Sequence, residues 1–139
     1  MVGTSLGGLN ALRTVLSALP AGFSLPVAVV QHRRPVEDDR LDRFLSEDGA
    51  LPVVDALDKD PIGPGRVTLA PAGYHLLVDG ECYALSTERP ANHVRPSIDV
   101  LFESAADAMR EGVVAVVLTG TGEDGAAGAR RVKEQGGPV

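Results

Sequence analysis

Gly3-Thr4-Ser5-Leu6-Gly7 has the spacing of a G-x-S-x-G turn. Small residues on both sides of the serine allow a sharp strand-to-helix turn that holds a hydroxyl out at a sheet edge, which makes Ser5 a candidate nucleophile. A glycine-rich turn before a helix also serves as a packing device or as an anion site on free backbone N–H groups, so Gly3 to Gly8 can equally be read as a phosphate cradle. A serine nucleophile needs a base to take its proton, and the base needs a carboxylate to hold its tautomer. The sequence has three histidines, His32, His75 and His93. His32 directly follows the run Val27–Gln31, at what should be the C-terminal end of a strand, and is the best-placed base. Asp124 lies in Thr119-Gly120-Thr121-Gly122-Glu123-Asp124-Gly125, just past the run 113–118 and just before a helix, and is the best-placed acid. The plainer alternatives are a surface histidine and an aspartate that caps a helix N-terminus.

These residues can meet only if the elements between them form one sheet. Leu9, Leu12, Leu16 and Leu19 recur every three or four residues, which predicts a helix after Gly8 that stops before Pro20. Residues 27–31 predict a strand, Leu41, Phe44 and Leu45 a short helix, and residues 51–57 and 66–70 two further strands. Residues 74–78 and 81–85, joined by Asp79-Gly80, predict a β-hairpin. Ser97 is a plausible N-cap for a helical stripe of Ile98, Leu101, Phe102, Ala105 and Met109, with Asp99 favourable in the first turn. The unbroken run 113–118 predicts a strand buried on both faces, and 126–135 a last helix. Alternating strands and helices imply an α/β fold: a doubly wound, mostly parallel sheet with a β-hairpin, whose ligands gather at the C-terminal strand ends. Three successive strand-to-helix loops would bring Ser5, His32 and Asp124 to that edge. In an ordinary α/β-hydrolase the elbow lies mid-chain with acid and histidine after it, whereas here it opens the chain.

A length of 139 residues suits one domain, and 44% hydrophobic against 23% charged residues excludes a disordered tail. A formal charge of -6 weighs against nucleic acid or anionic lipid as partner. No run reaches the length of a membrane span and no basic stretch leads an apolar signal core, so the expectation is a soluble, cytoplasmic protein without membrane insertion. The single cysteine, Cys82, excludes an internal disulfide, and the histidines lack the spacing of a zinc helix, so no metal site is expected. Only Met1 and Val2 precede the glycine turn, too few for the strand such a turn normally follows, and Gly136-Gly137-Pro138-Val139 stops where a further strand should begin. The expected sheet is therefore truncated at both ends.

Five segments now stand in order: Gly3-Thr4-Ser5-Leu6-Gly7-Gly8, Val29-Val30-Gln31-His32, Leu69-Ala70-Pro71-Ala72-Gly73-Tyr74-His75-Leu76, Arg95-Pro96-Ser97-Ile98-Asp99-Val100-Leu101-Phe102 and Leu118-Thr119-Gly120-Thr121-Gly122-Glu123-Asp124-Gly125-Ala126. Together they resemble the motif set of the CheB-type protein-glutamate methylesterase domain of bacterial chemotaxis. The resemblance implies that residues 1–139 are a methylesterase-like catalytic domain, incomplete at its C-terminus. It also implies a Ser5-His32-Asp124 triad that hydrolyses γ-methyl esters of glutamyl side chains on chemoreceptors, with glutamine deamidation in some members. No cofactor is needed. Backbone N–H groups of Leu6, at the helix start, and of Thr121, by resemblance, are the candidate oxyanion donors; the family usually carries Met in the Thr121 loop.

The family's full enzymes carry a phosphorylatable receiver domain that has no counterpart in residues 1–139, so a phosphorelay partner is not encoded in this chain. Arg33 and Arg34 suit an acidic substrate surface or are simply solvated. Arg95 is a candidate for substrate binding, His75 is expected to be structural, His93 lies in a polar loop, and Cys82 is expected to be a small packing residue. The rival function is a non-catalytic module that keeps the fold and binds a receptor or signalling protein.

Overall fold

Apolar residues alternate along the central strand and divide the core into two layers. The computed structural model describes residues 1–36, 40–119 and 122–139. In strand β2, Val27–Gln31, Val27 and Val29 pack with Leu12 and Leu16 of helix α1 (Leu9–Ser17) and Leu45 of α2 (Leu41–Ser46). Ala28 and Val30 face the opposite layer, made by Leu101, Phe102 and Ala105 of α3 (Ile98–Met109) and Val132 of α4 (Ala126–Glu134). Helices on both faces make the sheet doubly wound, as the sequence predicts.

With β1 (Val2–Thr4), β3 (Val53–Asp55), β4 (Val67–Leu69), β5 (His75–Asp79), β6 (Cys82–Ser86) and β7 (Val116–Val117), the main sheet is parallel in the order β3-β4-β2-β1-β7. From β1 the chain builds outward through β2 on one side and returns as β7 on the other. The C-terminal end of β1 is thus the switch point where a crevice opens in such sheets. Ile98, the first residue of α3, lies directly over Gly3, where a Cβ would collide with the Ile98 side chain. Glycine at this position lets the N-terminus of α3 ride close above β1.

β5 and β6 pair antiparallel as the expected hairpin, burying Leu76, Val78 and Tyr83 in the α3 layer. Because Asp79 pairs with Cys82, the two-residue loop is Gly80-Glu81, one position later than Asp79-Gly80; Gly80, at φ 61°, takes its left-handed position.

Two expectations are corrected. The run 113–118 is not a strand buried on both faces: only Val116 and Val117 pair, at the edge of the sheet, and they are 37% and 46% exposed. β-branched composition marks a strand without saying whether it has one neighbour or two. Conversely, the two residues before Gly3 do suffice for a strand, because β1 runs from Val2 through Thr4 and is hydrogen-bonded between β2 and β7. Among the described residues no helix is long and apolar enough to cross a membrane.

Candidate active site

Backbone hydrogen bonds fix the positions of Ser5 and His32 before any side chain is considered. Just past β1, Ser5 is extended and leads into a 3-10 turn, Leu6–Gly8, that feeds α1. Its N–H donates to the Thr119 carbonyl beyond β7 (3.0 Å), and the His32 N–H donates to the Thr4 carbonyl (3.0 Å). Gln31, which sequence reasoning did not single out, ties the two strand ends together: its buried side-chain amide donates to the Ser5 carbonyl at 2.7 Å. Ser5 and His32 line one cleft of about 540 Å³ together with Asn92, His93, Glu123 and Asp124. The Ser5 hydroxyl has no hydrogen-bond partner among the described residues, and Oγ is not bonded to the imidazole.

His32 Nε2 lies 2.6 Å from Asp124 Oδ2. With Nε2–H donated to the carboxylate, Nδ1 is the nitrogen left to accept a proton. The carboxylate also accepts from the Ile98 N–H on Oδ2 (2.7 Å), and on Oδ1 from the Ser97 hydroxyl (2.7 Å), the Asp99 N–H (3.1 Å) and the Asn92 amide (3.3 Å). Burial alone would raise the Asp124 pKa, but the bonds from His32, Ser97 and the backbone of Ile98 and Asp99 outweigh it and lower it to about 2. The acid is therefore ionised at neutral pH and is oriented on both oxygens. Asp124 is not the cap of its own helix, α4, whose N-cap is Gly125. It caps the neighbouring α3 and meets His32 with the same carboxylate, so the plain and the catalytic readings of this residue are compatible.

Leu6 opens the 3-10 turn, and an N–H at that position has no acceptor within the turn. Thr121, the second candidate donor, lies outside the described residues. Arg95 does not line the cleft; its Nη1 donates to the carbonyls of Thr87 (2.8 Å) and Glu88 (2.9 Å), which fastens the segment after the hairpin. Arg33 is neither solvated nor turned to the cleft: its side chain is 8% exposed and donates to Asp55 (2.6 Å) and the Ala70 carbonyl (2.8 Å). Arg34 is exposed. His75 is buried and structural as expected, with Nδ1 accepting from the Ser97 N–H (3.2 Å) and Nε2 donating to the Arg89 carbonyl (3.1 Å). Cys82 is half-buried and free.

Asn92 and His93, at φ 50° and 65°, form the centre of a tight turn closed by the Val94 N–H on the Ala91 carbonyl (2.9 Å). Asn and His tolerate this left-handed conformation better than most residues, and it brings both to the rim of the cleft. The dipeptide Asn-His was the available signal for that turn. Among the described residues no group of three or more His, Cys, Asp or Glu could hold a metal ion.

The chain belongs to the CheB methylesterase family, whose profile matches residues 1–139. The crystal structure of the Thermotoga maritima CheB methylesterase catalytic domain superposes with a TM-score of 0.93 at 35% identity, covering 98% of this chain and 74% of that one. A protein-glutamate methylesterase/protein-glutamine glutaminase of Nocardioides sp. is 45% identical over 147 residues, spanning all of this chain but only 39% of the relative. The protein of that name from Trichodesmium erythraeum is 40% identical, with 40% of its length covered. A Leptospira interrogans protein given the same name provisionally is 38% identical over 99% of this chain and 72% of its own length.

Proposed function

We propose that this chain is a serine-type esterase that hydrolyses γ-methyl esters of glutamyl side chains on methylated chemoreceptors and releases methanol, with glutamine deamidation as the parallel reaction. Residues 1–139 act as the catalytic domain. The observation that carries this reading is the 2.6 Å imidazole–carboxylate bond of His32 and Asp124 inside the cleft that Ser5 also lines. Membership of the family and the names of its relatives supply the substrate class.

In this mechanism Ser5 Oγ attacks the ester carbonyl while His32 Nδ1 takes the hydroxyl proton. Asp124, ionised and held on both oxygens, keeps the imidazole in the Nε2–H tautomer and stabilises the imidazolium. The N–H of Leu6, with Thr121 as its counterpart by resemblance, donates to the developing oxyanion. Collapse of the tetrahedral intermediate expels methoxide, which takes the proton from His32 and leaves as methanol. Water, deprotonated by the same imidazole, attacks the acyl-enzyme; the second intermediate collapses, Ser5 regains its proton, and the product is a free glutamate side chain.

Ser5→Ala is expected to abolish methanol release from a methylated chemoreceptor fragment while the circular-dichroism spectrum is unchanged. Turnover by the Ser5→Ala protein would overturn the serine mechanism. Receptor binding by wild type and variant alike, with turnover by neither, would favour the non-catalytic binding module instead.

A further inference from the structure

The Asp124 carboxylate has donors on both oxygens, and besides His32 two of them are backbone groups that the fold itself supplies. The N–H groups of Ile98 and Asp99 are those that any α3 would present at its first turn. Two contacts come from side chains that could have been something else, Ser97 and Asn92, and the Ser97 hydroxyl is the shorter at 2.7 Å against 3.3 Å. Ser97 is fully buried. A serine at an N-cap ordinarily uses its oxygen to accept from the helix; here that bond, from the Val100 N–H, is 3.4 Å long, and the hydroxyl proton points to Asp124 Oδ1.

We infer that Ser97 is a positioning residue for the reaction, its hydroxyl holding Asp124 Oδ1 so that Oδ2 stays aimed at His32 Nε2. The inference rests on the proposed roles of Ser5, His32 and Asp124. Without the hydroxyl, Oδ1 keeps only the longer contacts from the Asp99 N–H (3.1 Å) and the Asn92 amide (3.3 Å), so rotation about Cβ–Cγ is less tightly restrained. The short Ser97 bond supplies that restraint, in the way that outer hydrogen bonds orient ligating side chains elsewhere. The position of Ser97 is itself braced from behind, because the buried His75 accepts its N–H on Nδ1 and is tied through Nε2 to the Arg89 carbonyl. Side chains of the hairpin, of the segment leading into α3 and of the loop before α4 thereby converge on one imidazole.

The test separates helix capping from positioning. Glycine is nearly as good an N-cap as serine but has no hydroxyl, whereas threonine keeps both functions. Wild type, Ser97→Gly, Ser97→Thr and Ser5→Ala full chains would be treated with a fluorophosphonate probe, which reacts with activated serines, and the labelling rates compared. The far-downfield proton resonance of the His32 Nε2–H would be recorded for each. The inference expects Ser97→Gly to label roughly tenfold more slowly with a thermal midpoint close to wild type, and to lose or shift the downfield resonance. Ser97→Thr should restore both signals. Labelling and resonance unchanged in Ser97→Gly, with Ser5→Ala unlabelled, would overturn the inference and leave the triad standing. Equal labelling of wild type and Ser5→Ala, or labelling of neither, would overturn both. Should the threonine methyl lower the midpoint, the glycine variant alone decides through the resonance.

Discussion

Asp99 and Asp124 perform the same structural task in mirror fashion, and only one of them is joined to chemistry. Asp99, in the first turn of α3, reaches across to the start of α4, where its Oδ1 accepts from the N–H groups of Gly125 (2.9 Å) and Gly128 (2.7 Å). Asp124, just before α4, reaches back to the start of α3. Each helix N-terminus is thus satisfied by the carboxylate of the other, which suits the positive end of each helix dipole and ties the two helices together. Asn92 stands between the two aspartates and donates to both. Asp99 is 6% exposed and meets only amide donors, whereas Asp124 offers its Oδ2 to an imidazole at the cleft. Helix capping explains why two carboxylates are here; the neighbouring His32 explains why one of them belongs to the site.

Substituting each aspartate in turn breaks this comparison along different axes. The largest effect is expected from Asp124→Asn, which should lower kcat by roughly 10³- to 10⁴-fold through the wrong imidazole tautomer, measured as methanol release from a methylated receptor fragment. A loss of less than tenfold would mean that the 2.6 Å contact is only a structural cap. Asp99→Asn should act on stability instead. Its new amide would face the Asn92 amide, donor against donor, and the cost should be about 1–3 kcal/mol in urea unfolding, with the residual activity of folded protein within a few-fold of wild type. A stable but inactive Asp99→Asn protein would erase the distinction drawn between the two residues.

The smallest effect sharpens the comparison through pH. The Asp124 carboxyl is lowered from its ordinary 3.8 to about 2 in the folded chain, so the unfolded chain binds its proton first as pH falls. The stabilisation from this group is complete above about pH 4 and is lost as the pH falls toward 2. Urea midpoints measured from pH 5 down to 2 should fall less steeply for Asp124→Asn than for wild type. Parallel curves would show that the carboxylate is not held low in the folded state.

Much of the site was legible because each residue sits at a local signal. Ser5 lies in a tight turn between small residues, His32 ends a run whose five residues are all buried, and Asp124 precedes a helix. Ser97 was legible as an N-cap, but not as a donor to Asp124, because the two are 27 positions apart and no periodicity spans that interval. Arg33 is hidden for the same reason, since its guanidinium is taken by the Asp55 carboxylate and the Ala70 carbonyl, 22 and 37 positions away. Arg95 is different: its partners are the nearby carbonyls of Thr87 and Glu88, and backbone acceptors carry no sequence signal. The edge position of β7 was hidden too, since Val116 and Val117 have the composition of a central strand.

The sequence by itself determined the element types, their alternation and hence the doubly wound sheet, because hydrophobic period, turn chemistry and capping residues act within a few positions. It also placed serine and histidine just past strand ends and aspartate in the loop between a later strand and its helix. Tertiary structure decided what those residues touch. The 92-residue separation of His32 and Asp124 is closed only when β2 lies beside β1 and α3 sits over Gly3, and the exchange of carboxylates between α3 and α4 exists only once both helices pack on that face. Local free energies select helices and strands, but a hydrogen bond between side chains is formed only after backbone packing brings donor and acceptor within about 3 Å.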